Sequence, residues 1–163
     1  MTTAKYGFLF PLLLAIGACS ISEPLPNTSD NWINVDAEDF SFSIPERLSE
    51  VPTKGLDSAV RRWESSDITI QSDYGRFSDP LDSYTAFEAY QETSDRIDGR
   101  ATKIVSFQQD NGWNFTAVHF PDAGTAAEGK INKLTIVVEA SPQIDAEIPL
   151  QNVRSVRLTR ESN

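Results

Sequence analysis

The chain has 163 residues, 14 Lys and Arg against 24 Asp and Glu, and a net charge of -10. That length suits one ordinary domain with a real core, and so acidic a surface disfavours nucleic acid and anionic head groups. One cysteine excludes an internal disulfide, and one histidine excludes zinc sites built from Cys and His.

Lys5 is followed by an apolar run from Phe8 to Ile16, broken only by Pro11, and then by the small residues Gly17 and Ala18. A spanning helix needs about 20 apolar residues, and this run has roughly half that number, so it reads as a secretion leader. Ile16-Gly17-Ala18-Cys19 resembles the lipobox of a bacterial lipoprotein signal. That resemblance implies cleavage between Ala18 and Cys19, with lipid (diacylglyceryl and then an acyl group such as palmitate) carried by the new N-terminal cysteine. A thiolate is the nucleophile able to take such a group, and two or more acyl chains make anchoring stable where one does not. Loss of residues 1–18 would leave 145 residues and a net charge of -11.

Residues 19–31 read as a lipidated end and tether, with Pro24 and Pro26 among Ser, Asn and Asp. Such a segment spans about 20 Å. Ser20 in place of aspartate, by the lipoprotein resemblance, implies the outer membrane with the head facing the periplasm.

The remaining stretch, 32–160, is expected to be one globular domain. Trp32 to Val35 and Phe40 to Ile44 flank the acidic turn Asp36-Ala37-Glu38-Asp39, and Phe40, Phe42 and Ile44 alternate with serines as a half-buried strand does. Leu48 to Leu56 reads as loop. Ala59 to Trp63 and Asp67 to Tyr74 form a second hairpin turning at Ser65-Ser66. Asp79-Pro80 looks like a helix start, and the spacing of Leu81, Tyr84, Phe87 and Tyr90 predicts a helix over Leu81 to Glu92. Ile97-Asp98-Gly99-Arg100 turns into a strand over Ala101 to Gln108. Asp110-Asn111-Gly112 is the clearest hairpin signal, with Asn-Gly suited to type I′ geometry, and the chain returns through Trp113 to Phe120. Ile131 to Ala140 is a strand, Pro142 to Asn152 a weak helix or loop, and Val153 to Leu158 a last strand.

This order describes an α+β domain, a mostly antiparallel sheet of about six or seven strands with one or two helices packed on it. The Trp-led opening (Trp32, Phe40, Phe42, Pro45), the hairpin ending in Asp73-Tyr74-Gly75 and the terminal Ser155-Val156-Arg157-Leu158 resemble the PsbP-like and DcrB-like α/β/α sandwich domains. Members of that group are mostly non-enzymatic accessory or assembly factors, and no motif carries their functional residues across.

Nucleophile templates are missing: there is no Gly-x-Ser-x-Gly or Ser-x-x-Lys, and the one thiol is given to lipid. His119, between Val118 and Phe120, reads as a sheet residue rather than a base or a ligand. Asp36, Glu38 and Asp39, or Asp73, Asp79 and Asp82, are oxygen donors of the kind that gather a hard cation, but turn chemistry accounts for both sets. No metal or cofactor is therefore expected. One constellation is left as a candidate interaction surface: Asp57 and Ser58 beside Asp73 and Tyr74 at the open end of the second hairpin, joined by Arg61, Asp98 and Arg100. The expected function is a lipid-anchored, non-catalytic envelope domain that meets another envelope protein, with small-ligand or cation binding as the alternative.

Overall fold

A computed structural model describes residues 31–37, 39–125 and 129–159. The leader, Cys19, the tether and Glu38 lie outside the described residues.

The described chain forms ten strands and one helix: β1 (Trp32–Asp36), β2 (Phe40–Pro45), β3 (Ser49–Val51), β4 (Ala59–Glu64), β5 (Ile68–Gly75), β6 (Glu88–Ile97), β7 (Arg100–Gln108), β8 (Asn114–Thr125), β9 (Ile131–Ala140), α1 (Glu147–Arg154) and β10 (Arg157–Leu158). They build a small sheet in the order β1-β2-β10 and a seven-stranded sheet in the order β3-β4-β5-β9-β8-β7-β6. Every pairing is antiparallel. The architecture is thus mostly antiparallel β with little helix, an α+β domain at its broadest.

Alternation decides which face of the large sheet is dry. Ile68 and Ile70 of β5, Leu134, Ile136 and Val138 of β9, and Val118 and Phe120 of β8 point to one side and are fully buried. The small sheet covers them with Phe42 and Ile44, and Phe42 meets Trp63 edge-on at 5.3 Å. Helix α1 closes the same side through Val153. It is tied to β2 by Asn152, whose amide donates to Ser43 O at 2.6 Å, and by Ser155, whose hydroxyl accepts from Ser43 N at 2.8 Å. Glu147 in its first turn and Arg154 in its last complement the helix dipole.

Several expectations change in detail. The helix over Leu81 to Glu92 does not form: residues 76–87 are an irregular strap, and β6 starts at Glu88. Leu81 takes a left-handed backbone (φ 61°), which an α-helix does not accommodate. Asp79 Oδ1 accepts from Leu81 N at 2.8 Å, two residues on, so the aspartate closes a turn instead of capping a helix. Leu48 to Leu56 is not all loop, since it contains β3. The final strand is only Arg157–Leu158, because Val153 belongs to α1, which begins at Glu147 and not Pro142. Finally, Asn111-Gly112 is not a type I′ turn. Only Gly112 of the pair has a positive φ (83°), and its N–H donates to Gln109 O at 2.8 Å. Asn111 instead accepts from Trp113 N with its side chain. Positive φ at both central residues occurs at Asp98 (51°) and Gly99 (79°), where β6 turns into β7.

Candidate functional site

The second face of the large sheet carries the site. Strand register sets its side chains in rows. One row runs Thr69, Glu139, Phe115, Phe107; the next Arg62, Gln71, Val137, Ala117, Val105; the third Val60, Asp73, Thr135, His119, Lys103. In the first two rows the β7–β8 side of this face is apolar and the β4–β5 side is polar. The strap lies over the apolar side. Leu81, with no exposure, packs with Val105, Phe107, Phe115 and Ala117, a second small core. Tyr84 and Phe87 stack on Phe107 at 5.3 and 4.4 Å, and Phe107 stacks on Phe115 at 4.3 Å.

Hydrogen bonds pin the strap at its start. The buried Ser78 hydroxyl donates to Asp73 O at 2.8 Å. Thr135 Oγ1 donates to Asp79 O at 2.7 Å and lies 2.9 Å from His119 Nδ1. A hydroxyl has one proton, and Thr135 spends it on a carbonyl that can only accept. His119 must therefore donate from Nδ1, which assigns its tautomer. His119 is held below the ordinary histidine value, first by burial and then by Lys133 and Lys103. Asp79 Oδ2 accepts from Tyr84 OH at 2.7 Å. Burial, with that bond to a carboxylate, pushes the Tyr84 phenol up to about 12, so it stays a donor.

Where the strap ends, a groove of about 300 Å³ opens, lined by Arg62, Thr69, Gln71, Asp73 and Glu139 on the sheet and walled by Asp79, Tyr84, Phe115 and Val137. Its charges are unevenly satisfied. Both Asp79 oxygens are engaged within the strap, and Glu139 Oε1 accepts from Gln109 at 2.6 Å. Asp73 Oδ1 is shut from solvent without a donor, whereas Arg62 Nε pairs with Glu64 Oε2 at 3.3 Å. An open aromatic shelf of Tyr84, Phe87, Phe107 and Phe115 continues the groove toward Gln109 and Asn111.

The residues singled out in the sequence are only partly gathered. Asp57 and Ser58 do sit at the open end of the β4–β5 hairpin, against Gly75, where a Cβ would come within 2.8 Å of Ser58 Cβ. Asp73 faces the groove, but Tyr74 faces the main core, its ring 5.7 Å from Phe40 and its hydroxyl accepting from Asn132. Arg61 is also on the core side, bidentate to Glu50 at 2.9 Å, bonded to Asp36 O and 4.9 Å over Trp63. Asp98 and Arg100 are at the far side of the sheet, with β9 and β8 between β7 and β5. Asp98 accepts from Leu158 N, and Arg100 pairs with Asp122 at 2.9 Å. The supposed oxygen cluster is likewise dispersed, since Asp82 pairs with Lys103. Among the described residues no three His, Cys, Asp or Glu side chains gather as a metal site would require, and no helix is long and apolar enough to cross a membrane.

Sequence reasoning passed over Arg62, Glu139 and Thr135. The available signal was their alternation with Trp63, Val138 and Ile136, which puts them together on the second face once the strands are paired. Tested against protein-family models and against curated proteins, the chain matches none.

Proposed function

We propose that the chain is a lipid-anchored envelope protein, held at the outer membrane by Cys19 and facing the periplasm, whose head works by binding another envelope component and not by catalysis. The observation that carries it is Cys19 itself: the sole thiol, placed directly after an apolar run and two small residues. The partly exposed Phe87 and the exposed Phe77 on the strap add apolar surface of the kind interaction faces use. The same proposal takes the head as akin to the PsbP-like and DcrB-like domains, supported by the Trp-led hairpin, the long antiparallel sheet and the terminal strand. Labelling cells with a tagged palmitate tests the anchor. Label is expected on the wild type and absent from Cys19→Ala, which should leave the membrane fraction. An unlabelled wild type removes the proposal's foundation, and detergent pull-downs that repeatedly return no partner remove the accessory role.

A second reading, small-ligand binding, is favoured by the groove of about 300 Å³, where polar residues of β4 and β5 meet the aromatic wall of Tyr84 and Phe115. Binding at 100 times the dissociation constant would stabilise the fold by about 2.7 kcal/mol. A broad thermal-shift screen in which no compound raises the unfolding temperature would end this reading.

A further inference from the structure

We propose that the end of the large sheet where β5 stops and β9 starts is a docking face for a bilayer surface rich in anionic lipid. Leu56, Phe77 and Ile131 enter its interfacial layer, and Lys54, Arg76 and Lys133 meet the head groups. This goes beyond the anchor and gives Phe77 a definite occupant.

Two independent distributions coincide at that end, and the first is apolar. Leu56 is fully exposed, Phe77 is 66% exposed and Ile131 56%, more than the other large hydrophobic residues described. Backbone pairing brings them together. β5 ends at Gly75, which pairs with Lys133 of β9, so Phe77 leaves the sheet where Ile131 enters it. The Ser78 hydroxyl, 3.2 Å from Lys133 O, holds the start of the strap against β9. The loop before β4 reaches the same end. A Cβ on Gly75 would lie 2.8 Å from Ser58 Cβ and 3.5 Å from Asp57 O, and Leu56 is the preceding residue.

The second distribution is charge. Most Lys and Arg side chains elsewhere in the fold are ion-paired, as Arg47, Arg61 and Arg100 are to Asp67, Glu50 and Asp122. Among the described residues, Lys54, Arg76 and Lys133 have no carboxylate partner, and Arg76 lies 5.2 Å over the Phe77 ring instead. Lys54 shares a loop with Leu56, and Lys133 is two residues from Ile131. Asp57 offsets one of these charges and leaves the end cationic.

A chain of net charge -10 is repelled as a whole by anionic head groups. Charges beyond about 8 Å are screened at physiological ionic strength, however, so the face that meets the surface decides. Unpaired cations beside exposed apolar side chains suit a membrane interface, where each part finds its own medium. A soluble polyanion would satisfy the charges and offer no hydrocarbon to Leu56, Phe77 and Ile131. These three project from separate segments and do not line a groove. A deformable lipid layer receives such points directly, whereas a protein partner would need a matching hollow for each. The tether permits the geometry. β1 starts at the opposite end, with Trp32 paired to Pro45, while Phe40 lies beside Tyr74. A segment as long as residues 19–31 reaches up to about 45 Å when extended, more than the roughly 26 Å of β5.

Full-length protein on vesicles tests this, through quenching of an introduced tryptophan by lipids brominated on their acyl chains. Flotation with phosphatidylcholine vesicles reports the anchor by itself. Phe77→Trp is expected to gain quenching over wild type when phosphatidylglycerol is mixed in. The ratio of docked to free heads should then fall about fivefold for each of Lys54→Gln, Arg76→Gln and Lys133→Gln. Asp110→Trp, on the turn between β7 and β8 at the far end of the sheet, should gain none. Phe77, Lys54, Arg76 and Asp110 are exposed and Lys133 is half-buried, so all these variants should unfold at the wild-type temperature. Absent quenching at position 77, equal quenching at position 110, or a ratio unmoved in the folded cation variants overturns the proposal. So does a photoreactive phenylalanine analogue at position 77 that captures protein and not lipid in whole membranes. Quenching on mixed vesicles without flotation on neutral ones supports the face and removes only the anchor.

Discussion

Thr135→Val removes one oxygen from the junction of strap and sheet, and its cost follows from what that oxygen joins. Thr135 is 2% exposed, donates to Asp79 O and accepts from His119 Nδ1. Valine keeps the shape, so little cavity opens, but two buried polar groups lose their partner. Each such loss costs about 1–3 kcal/mol, and burying a methyl in place of the hydroxyl returns about 0.8 kcal/mol. A net loss of about 1–5 kcal/mol is expected, which for a head of this size lowers the unfolding temperature by roughly 4 °C for each kcal/mol. Urea unfolding at pH 8, followed by the fluorescence of the buried Trp63, measures it. His119→Phe supplies the control. With the imidazole gone, Thr135→Val strands one group instead of two, so the double variant should be more stable than the sum of the singles by about 1 kcal/mol or more. A loss below about 0.5 kcal/mol for Thr135→Val, or strict additivity, would refute the network.

The depressed His119 also makes stability depend on pH. The unfolded histidine takes its proton near 6.5 and the folded one only at lower pH, so acidification favours the unfolded chain. The contribution is complete above 6.5 and is lost as pH falls toward the folded value, at about 1.4 kcal/mol for each unit of depression. Stability curves of wild type and His119→Phe should therefore converge between pH 7.5 and 5, and parallel curves would contradict the burial of the ring. At Leu81, alanine and glycine should rank in an unusual order. Loss of the buried side chain costs about 2–4 kcal/mol in either variant, but the left-handed backbone favours glycine over alanine by about 1–2 kcal/mol. Leu81→Gly should thus be the more stable in thermal unfolding, whereas a helix at this position would make it the less stable by about 1 kcal/mol.

What could be read from residues alone depended on whether a segment has one dry face. β2 and β9 were legible because Phe40, Phe42 and Ile44, and then Leu134, Ile136, Val138 and Ala140, alternate with polar neighbours. β6 was not. It is an edge strand exposed along most of its length, so its sequence carries no apolar alternation, and a bulge between Glu88 and Gln91 breaks its register. The strap was misread for a different reason. Leu81, Tyr84 and Phe87 do bury one side of a segment, but the surface they meet is a flat sheet that an irregular chain can cover as well as a helix can. The spacing reported burial correctly and its geometry wrongly. As for the site, Arg62 and Asp73 look like ordinary solvated strand positions until pairing places them over a hollow. Asp98 and Arg100 looked like their neighbours only while β6 through β9 had no assigned order.

The groove lies beside the part of the sheet that the strap covers. Leu81, Tyr84 and Phe87 of the strap pack on the apolar Phe107 and Phe115 of β7 and β8, and the groove is lined by the polar residues of β4 and β5 next to them. The boundary leaves charged side chains beside an aromatic wall, where water is partly excluded and a charge-assisted hydrogen bond is stronger than in bulk water. Stability and binding are therefore coupled at one joint. Ser78, Asp79 and Thr135 hold the strap down, and the same strap supplies Tyr84 to the wall. Loosening the joint should weaken a ligand in the groove and the fold together, whereas Asp73→Asn should weaken the ligand alone. That difference separates a binding face from a face that is merely well packed.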